Sequence, residues 1–118
     1  MTRAAILVLV VVLVLGGLFF PLRPDTPDGG PRDRRFDVFI EDGGMSPGEI
    51  SVNRGDTVTI RVGADEPTVI HVHGYDVEQE VEPGMAAEIG FEADLTGRFE
   101  IEDHETENGL GVLQVRPR

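Results

Sequence analysis

The chain has no cysteine, no tryptophan and no lysine. Without cysteine there are no disulfides, thiolate metal ligands, thiol nucleophiles or iron–sulfur clusters. Every basic residue is therefore an arginine, and ten of them face 22 acidic residues, for a net charge of −12. The imbalance sharpens downstream: from Phe36 onward there are 19 Asp and Glu against 5 Arg. So acidic a surface repels phosphate backbones, which argues against nucleic acid as a partner, and it attracts cations, basic proteins and metal ions. Aromatics make up only 6% of the residues, so the core must be built from aliphatics. No stretch after residue 35 carries a helical period.

One long hydrophobic run is present. Ala4 to Phe20 holds 17 residues without a polar side chain and is closed by Pro21. As a helix it would extend about 25 Å, near the thickness of a bilayer's hydrocarbon core. A cleaved signal peptide has a shorter apolar stretch and a small-residue cleavage site, and Phe19-Phe20-Pro21-Leu22 offers none. The expectation is an uncleaved signal-anchor helix over residues 4–21, behind a three-residue flank, with membrane attachment through it. Arg23, Arg32, Arg34 and Arg35 follow the run and only Arg3 precedes it. The positive-inside rule alone would therefore place the rest of the chain in the cytoplasm. Residues 22–35, rich in Pro, Gly and Arg, read as a linker with little structure of its own.

From Phe36 the pattern alternates with period two. Phe36, Val38 and Ile40 form one apolar set, Val58, Ile60 and Val62 another, then Ala87, Ile89 and Phe91, then Phe99 and Ile101. Turn signals bound the blocks at Gly43-Gly44, Arg54-Gly55-Asp56, Glu82-Pro83-Gly84 and Thr96-Gly97. The spacing predicts strands near residues 36–41, 49–53, 57–63, 68–73, 76–81, 86–92, 97–103 and 110–116. Residues 36–118 should form an all-β, Greek-key sandwich of seven to eight strands.

All three histidines fall at the ends of two of these strands. His71 and His73 are spaced i, i+2, so on a strand they project from one face and can turn toward a shared point. His104 follows the strand over 97–103. Asp103 shares a face with Phe99 and Ile101, and a carboxylate on a core face needs a partner: a metal, an arginine or a histidine. His71, His73, His104 and Asp103 are thus the candidate metal ligands. The bland alternatives are a solvated histidine pair and an aspartate that caps a turn.

These blocks resemble a family. Gly48-Glu49-Ile50-Ser51-Val52-Asn53-Arg54-Gly55-Asp56-Thr57-Val58 is similar to the second and third strands of a cupredoxin, where P-x-x-I-x-V-x-x-G-D-x-V recurs. Pro83-Gly84-Met85 through Phe91, Gly97-Arg98-Phe99-Glu100-Ile101 and Leu110 through Val115 resemble its later strands, so the likeness runs over residues 36–116. It is greatest to small bacterial cupredoxin-like domains, including those of periplasmic iron-uptake lipoproteins. Such domains are exported, which implies an extracytoplasmic position for residues 36–118 despite the arginines after the apolar run. A blue-copper site uses two His, a Cys and a weak axial Met. In this chain the first His position falls on His71 or His73, the Cys position on Asp103, the second His position within Glu105-Thr106-Glu107, and the Met position on Leu110. Without the thiolate, blue-copper electron transfer is not expected. An imidazole and carboxylate set suits Cu(II), Zn(II) or Fe better than Cu(I).

The expected function is a membrane-anchored module that binds copper or another divalent ion, in contact with a membrane or periplasmic metal-handling protein. No catalytic triad or phosphate loop is present, so an enzyme is not expected. A metal-free interaction domain on the same fold is the alternative. A further one comes from His71-Val72-His73, Glu78, Gly84, His104 and Asn108, which together resemble the metal motif of a cupin barrel and would imply a metal-dependent enzyme.

Overall fold

The computed structural model describes residues 29–118, and both the apolar run over residues 4–21 and the first half of the expected linker, residues 22–28, lie outside the described residues. Nine strands form among the described residues, with no helix: β1 (Asp33–Glu41), β2 (Gly44–Ser46), β3 (Glu49–Asn53), β4 (Thr57–Ala64), β5 (Thr68–Val72), β6 (Val77–Val81), β7 (Ala87–Glu92), β8 (Gly97–Asp103) and β9 (Gly109–Arg116). They build two sheets, one in the order β2-β1-β4-β7 and the other β3-β9-β8-β5-β6. β1 pairs with β4, and β3 with β9, in parallel; the remaining pairs are antiparallel.

The count exceeds the expected seven to eight because β2 spans only three residues, too few for a period of two to show. β1 starts at Asp33, before the first apolar residue of its block and inside the segment expected to be linker. Its first residues pair with Thr57, Val58 and Thr59 of β4, so backbone pairing rather than apolar burial extends this strand.

The alternation that predicts the strands also fills the core. Val38 and Ile40, Ile50 and Val52, Val58, Ile60 and Val62, Ile70 and Val72, and Leu113 and Val115 all point inward and are buried. β-branched side chains dominate because they are stiff and pack well on a pleated surface. Each fully buried Val, Ile or Leu contributes about 1.5–3 kcal/mol of transfer free energy. The aromatics Phe36, Tyr75, Phe91 and Phe99 pack against this cluster only partly buried.

At one end of the sandwich a charge is buried. Asp56, in the turn between β3 and β4, is fully buried. One carboxylate oxygen accepts from the Arg32 N–H and the other from the Asn53 N–H, each at 3.0 Å. The Arg118 guanidinium also donates to Asp56, and to the carbonyls of Arg54 and Gly29 at 3.0 and 2.9 Å. Burial is the largest single influence on the carboxyl and pushes its pKa up; the two N–H donors, Arg118 and Arg34 together outweigh it, and the pKa lies below the ordinary value. A depressed folded-state pKa contributes stability that is present above the unfolded pKa and is lost as pH falls through the folded one.

Stability to urea should therefore hold through neutral pH and decline below about pH 4. Asp56→Asn should cost about 2 kcal/mol at pH 7, by loss of charge-assisted bonds, and should flatten the acid limb. Urea unfolding across pH, followed by circular dichroism, checks both.

Candidate metal centre

β5 buries Thr68, Ile70 and Val72, so Val69 and His71 face away from the core. Its antiparallel neighbours set what stands beside His71. In β6 the residue directly across is Glu78, and in β8 it is Glu102. Side chains directly opposite across an antiparallel pair have Cβ atoms about 4.5–5.5 Å apart on one face. The outer face of the five-stranded sheet thus carries the row Glu78, His71, Glu102.

Backbone bonds add the other two histidines to this row. The His73 N–H donates to the Glu100 carbonyl at 3.0 Å, carrying the β5–β8 pairing one step past the end of β5. The His104 N–H donates to the Val69 carbonyl at 2.7 Å, carrying the same pairing past the end of β8. The rings of His71 and His73 lie 4.9 Å apart, and those of His71 and His104 5.8 Å apart. The three histidines expected to act together are therefore brought together.

The His73 position also depends on the turn that follows. Gly74 has φ +82°, and a Cβ there would sit 2.5 Å from the Phe99 ring. Tyr75 closes the turn: its hydroxyl donates to the Leu95 carbonyl at 2.6 Å and accepts from the Leu95 N–H at 3.1 Å. Its ring stands edge-on to Phe99 and tilted on Phe91. The turn is thus pinned to the far loop while its first residue, His73, stays on the ligand face.

Two three-residue groups offer ligand atoms that all lie within 4.8 Å of one another: His71, His73 and Glu102; and His71, Glu78 and His104. In the first, Oε1 of Glu102 lies 2.6 Å from Nε2 of His73 and 3.6 Å from Nδ1 of His71. The shorter distance alone would mark a charge-assisted hydrogen bond. Yet both ring nitrogens are buried and lack an aligned partner among the described residues. For His71 the 3.6 Å separation is already too long, and for His73 alignment decides, because a hydrogen bond weakens steeply when the donor points away. The adjacent His73 side chain is nonetheless the main influence that holds the Glu102 carboxyl below its ordinary pKa; His71 adds to it and desolvation opposes it. The first group is the more enclosed, with the His71 and Glu102 side chains 17% and 14% exposed. In the second, His104 Nδ1 lies 3.3 Å from Glu78 Oε1, and both side chains are about half exposed.

Asp103 stands apart from both groups. It pairs in register with Ile70, on the core side of the sheet. Its Oδ1 accepts from the Glu105 N–H at 3.1 Å, its backbone bonds to Asn108 and Glu107 close the β8–β9 turn, and it lines a cleft with Ile40, Thr68 and Leu110. The partner expected for this carboxylate is thus the N–H of its own turn. The carboxylate that does meet the histidines is Glu102, one residue earlier. Strand alternation carried that signal, since Glu102 faces opposite to Ile101 as His71 faces opposite to Ile70.

No family model matches the sequence, and no curated protein matches it. Solved structures do. The chain is 26% identical to the multicopper oxidase mgLAC, with a TM-score of 0.63, covering 73% of this chain and 39% of the oxidase. It is 23% identical to the blue copper oxidase from Nitrosomonas europaea, with a TM-score of 0.56 and the same coverages, 73% and 39%. The metal-binding domain of the Cu(I)-exporting P-type ATPase CopA of Streptococcus pneumoniae, solved with Cu(I), is 16% identical with a TM-score of 0.62, covering 71% of this chain and 94% of that domain. This chain thus spans about two fifths of either oxidase. The fold is cupredoxin-like. Glu78 and His104 do approach His71, as the cupin alternative required, but on a two-layer sandwich whose structural likenesses are copper proteins.

Gly74→Ala should destabilise the domain by about 1–3 kcal/mol, from the positive φ and the Phe99 clash together. A urea titration at neutral pH measures it, and a cost below 0.5 kcal/mol, about the scatter of ordinary surface substitutions, would contradict the packing described.

Proposed function

We propose that this chain is a cupredoxin-like metal-binding module that takes a divalent cation, Cu(II) or an ion of similar preference, on His71, His73 and Glu102. The observation that carries the reading is the convergence of two buried ring nitrogens, His71 Nδ1 and His73 Nε2, on Oε1 of Glu102 at 3.6 and 2.6 Å, with no aligned hydrogen-bond partner for either among the described residues. Buried polar atoms left without partners are uncommon, and convergence on one point is what a cation needs. The donors suit the ion: two imidazoles and a carboxylate favour Cu(II) or Zn(II), and the absence of cysteine excludes a blue-copper centre.

The reading includes attachment to a membrane through residues 4–21, with the domain on the extracytoplasmic side. The apolar run and the exported character of similar small domains support this. The role is binding and transfer rather than catalysis, with a membrane or periplasmic metal-handling protein as the natural recipient. That the similar CopA segment is, by its description, a metal-binding domain of a Cu(I) exporter supports a binding role, whereas the match covers only 39% of either oxidase.

Titration of the full chain in detergent with Cu(II) and Zn(II), followed by calorimetry, tests the reading. Glu102→Gln and His73→Ala should each weaken binding at least tenfold, since even the loss of a residue that only orients a metal ligand costs that much. Unchanged affinity in both variants, or no binding by the parent, would sink the proposal.

A further inference from the structure

Resting on that reading, a second ion position follows from the sheet register. We propose that the chain holds two divalent cations, one on His71, His73 and Glu102 and the other on His71, Glu78 and His104, with the His71 imidazole common to both.

Glu102 and Glu78 stand directly across from His71 on opposite sides, in β8 and β6. Those strands are separated by β5, so their backbones lie roughly 9–10 Å apart. Ligands of a single ion, each bonded at about 2.0–2.2 Å, can be no more than about 4.4 Å apart. The atoms within each group satisfy a limit close to this, but no such grouping embraces all five residues. As the side chains stand, one ion cannot collect them, whereas two ions can divide them.

His71 is suited to being shared. An imidazole has two nitrogens, each able to ligate once deprotonated. Nδ1 lies 3.6 Å from Glu102, and a ring nitrogen of His71 lies within 4.8 Å of ligand atoms of both Glu78 and His104, while Asp76, 3.8 Å from Nε2, stands outside both groups. If each nitrogen binds a cation, the ring loses its N–H proton to solvent and becomes an anion. That negative charge, with Glu102, Glu78 and Asp76 close by, offsets the repulsion between two divalent charges. The strongly acidic domain adds to the effect.

The two positions differ in exposure. In the first group Glu102 is 14% and His73 45% exposed, while in the second Glu78 and His104 are 47% and 55% exposed. A cation on the enclosed group is better shielded from water, so it binds first and tighter. The open group fills second and exchanges faster. A cation arriving from or leaving for another protein would meet the open group first and reach the enclosed one through the ring they share.

Titration of the full chain in detergent with Cu(II), followed by calorimetry and electron paramagnetic resonance, tests this. Two ions should bind per chain, the second at least tenfold more weakly. The resonance should grow up to the first equivalent, then broaden or diminish as a second Cu(II) couples to the first through His71. The double variant Glu78→Gln/His104→Ala, with its circular dichroism checked against the parent, should bind one ion with the first step unchanged. Saturation of the parent at one ion, or two ions in the double variant, overturns the second position while leaving the proposed function standing. Binding of no ion overturns both.

Discussion

His71 is held across from Glu102 in β8 and across from Glu78 in β6, and those two antiparallel registers decide what the outer face of this sheet can do. They are fixed by burial on the other face. Thr68, Ile70 and Val72 of β5 must point inward, and a slip of one residue in the strand would turn them to solvent and send His71 into the core. The aliphatic interior therefore locks the ligand row. Two backbone bonds, from His73 to Glu100 and from His104 to Val69, then extend the β5–β8 pairing in both directions and bring the remaining histidines to the same place.

The domain contains two low-exposure carboxylates with lowered pKa values, and their surroundings differ in a telling way. Asp56 is met by two backbone N–H groups and by the Arg118 guanidinium, with its donors aligned. That carboxylate ties the start of β1, the β3–β4 turn and the C-terminus into one end of the sandwich, and nothing about it is left to be filled. Glu102 is met by two imidazoles whose buried nitrogens are not aligned with it. A satisfied buried charge serves the fold; an incompletely satisfied cluster of good metal donors is where a cation fits. The contrast explains why one acidic residue reads as architecture and the other as chemistry in a chain with so many of them.

Much of the fold was legible in the alternation of apolar residues, since eight of the nine strands follow from it within a few residues. β2 escaped because three residues carry no periodicity, and the first residues of β1 escaped because backbone pairing extends them before apolar burial begins. The site was legible in part. The spacing of His71 and His73 gave their shared face, and all three histidines meet. Asp103 was the expected carboxylate because a charge on the core face with Phe99 and Ile101 needs a partner and because it falls where a cupredoxin places cysteine; Glu102 was not among the expected ligands. The same alternation, extended to β5, sets Glu102 on the outward face that His71 also occupies. Asp103 shares a face with Ile101, and His71 faces away from Ile70, so the two lie on opposite sides of one sheet.

The local sequence determined the strands, their inward faces, the absence of sulfur ligands and the outward projection of His71 and His73. These depend on neighbours within a few residues, where the period of a strand and the chemistry of a side chain are already fixed. Which carboxylates stand beside the histidines was decided only by the tertiary structure. Glu78 comes from β6, the next strand along the chain, but Glu102 reaches His71 only through pairing of β5 with the distant β8, and that strand order and register arise from packing the whole core. The division of five donors into two groups around one imidazole has the same origin, because it exists only where β5 lies between β6 and β8.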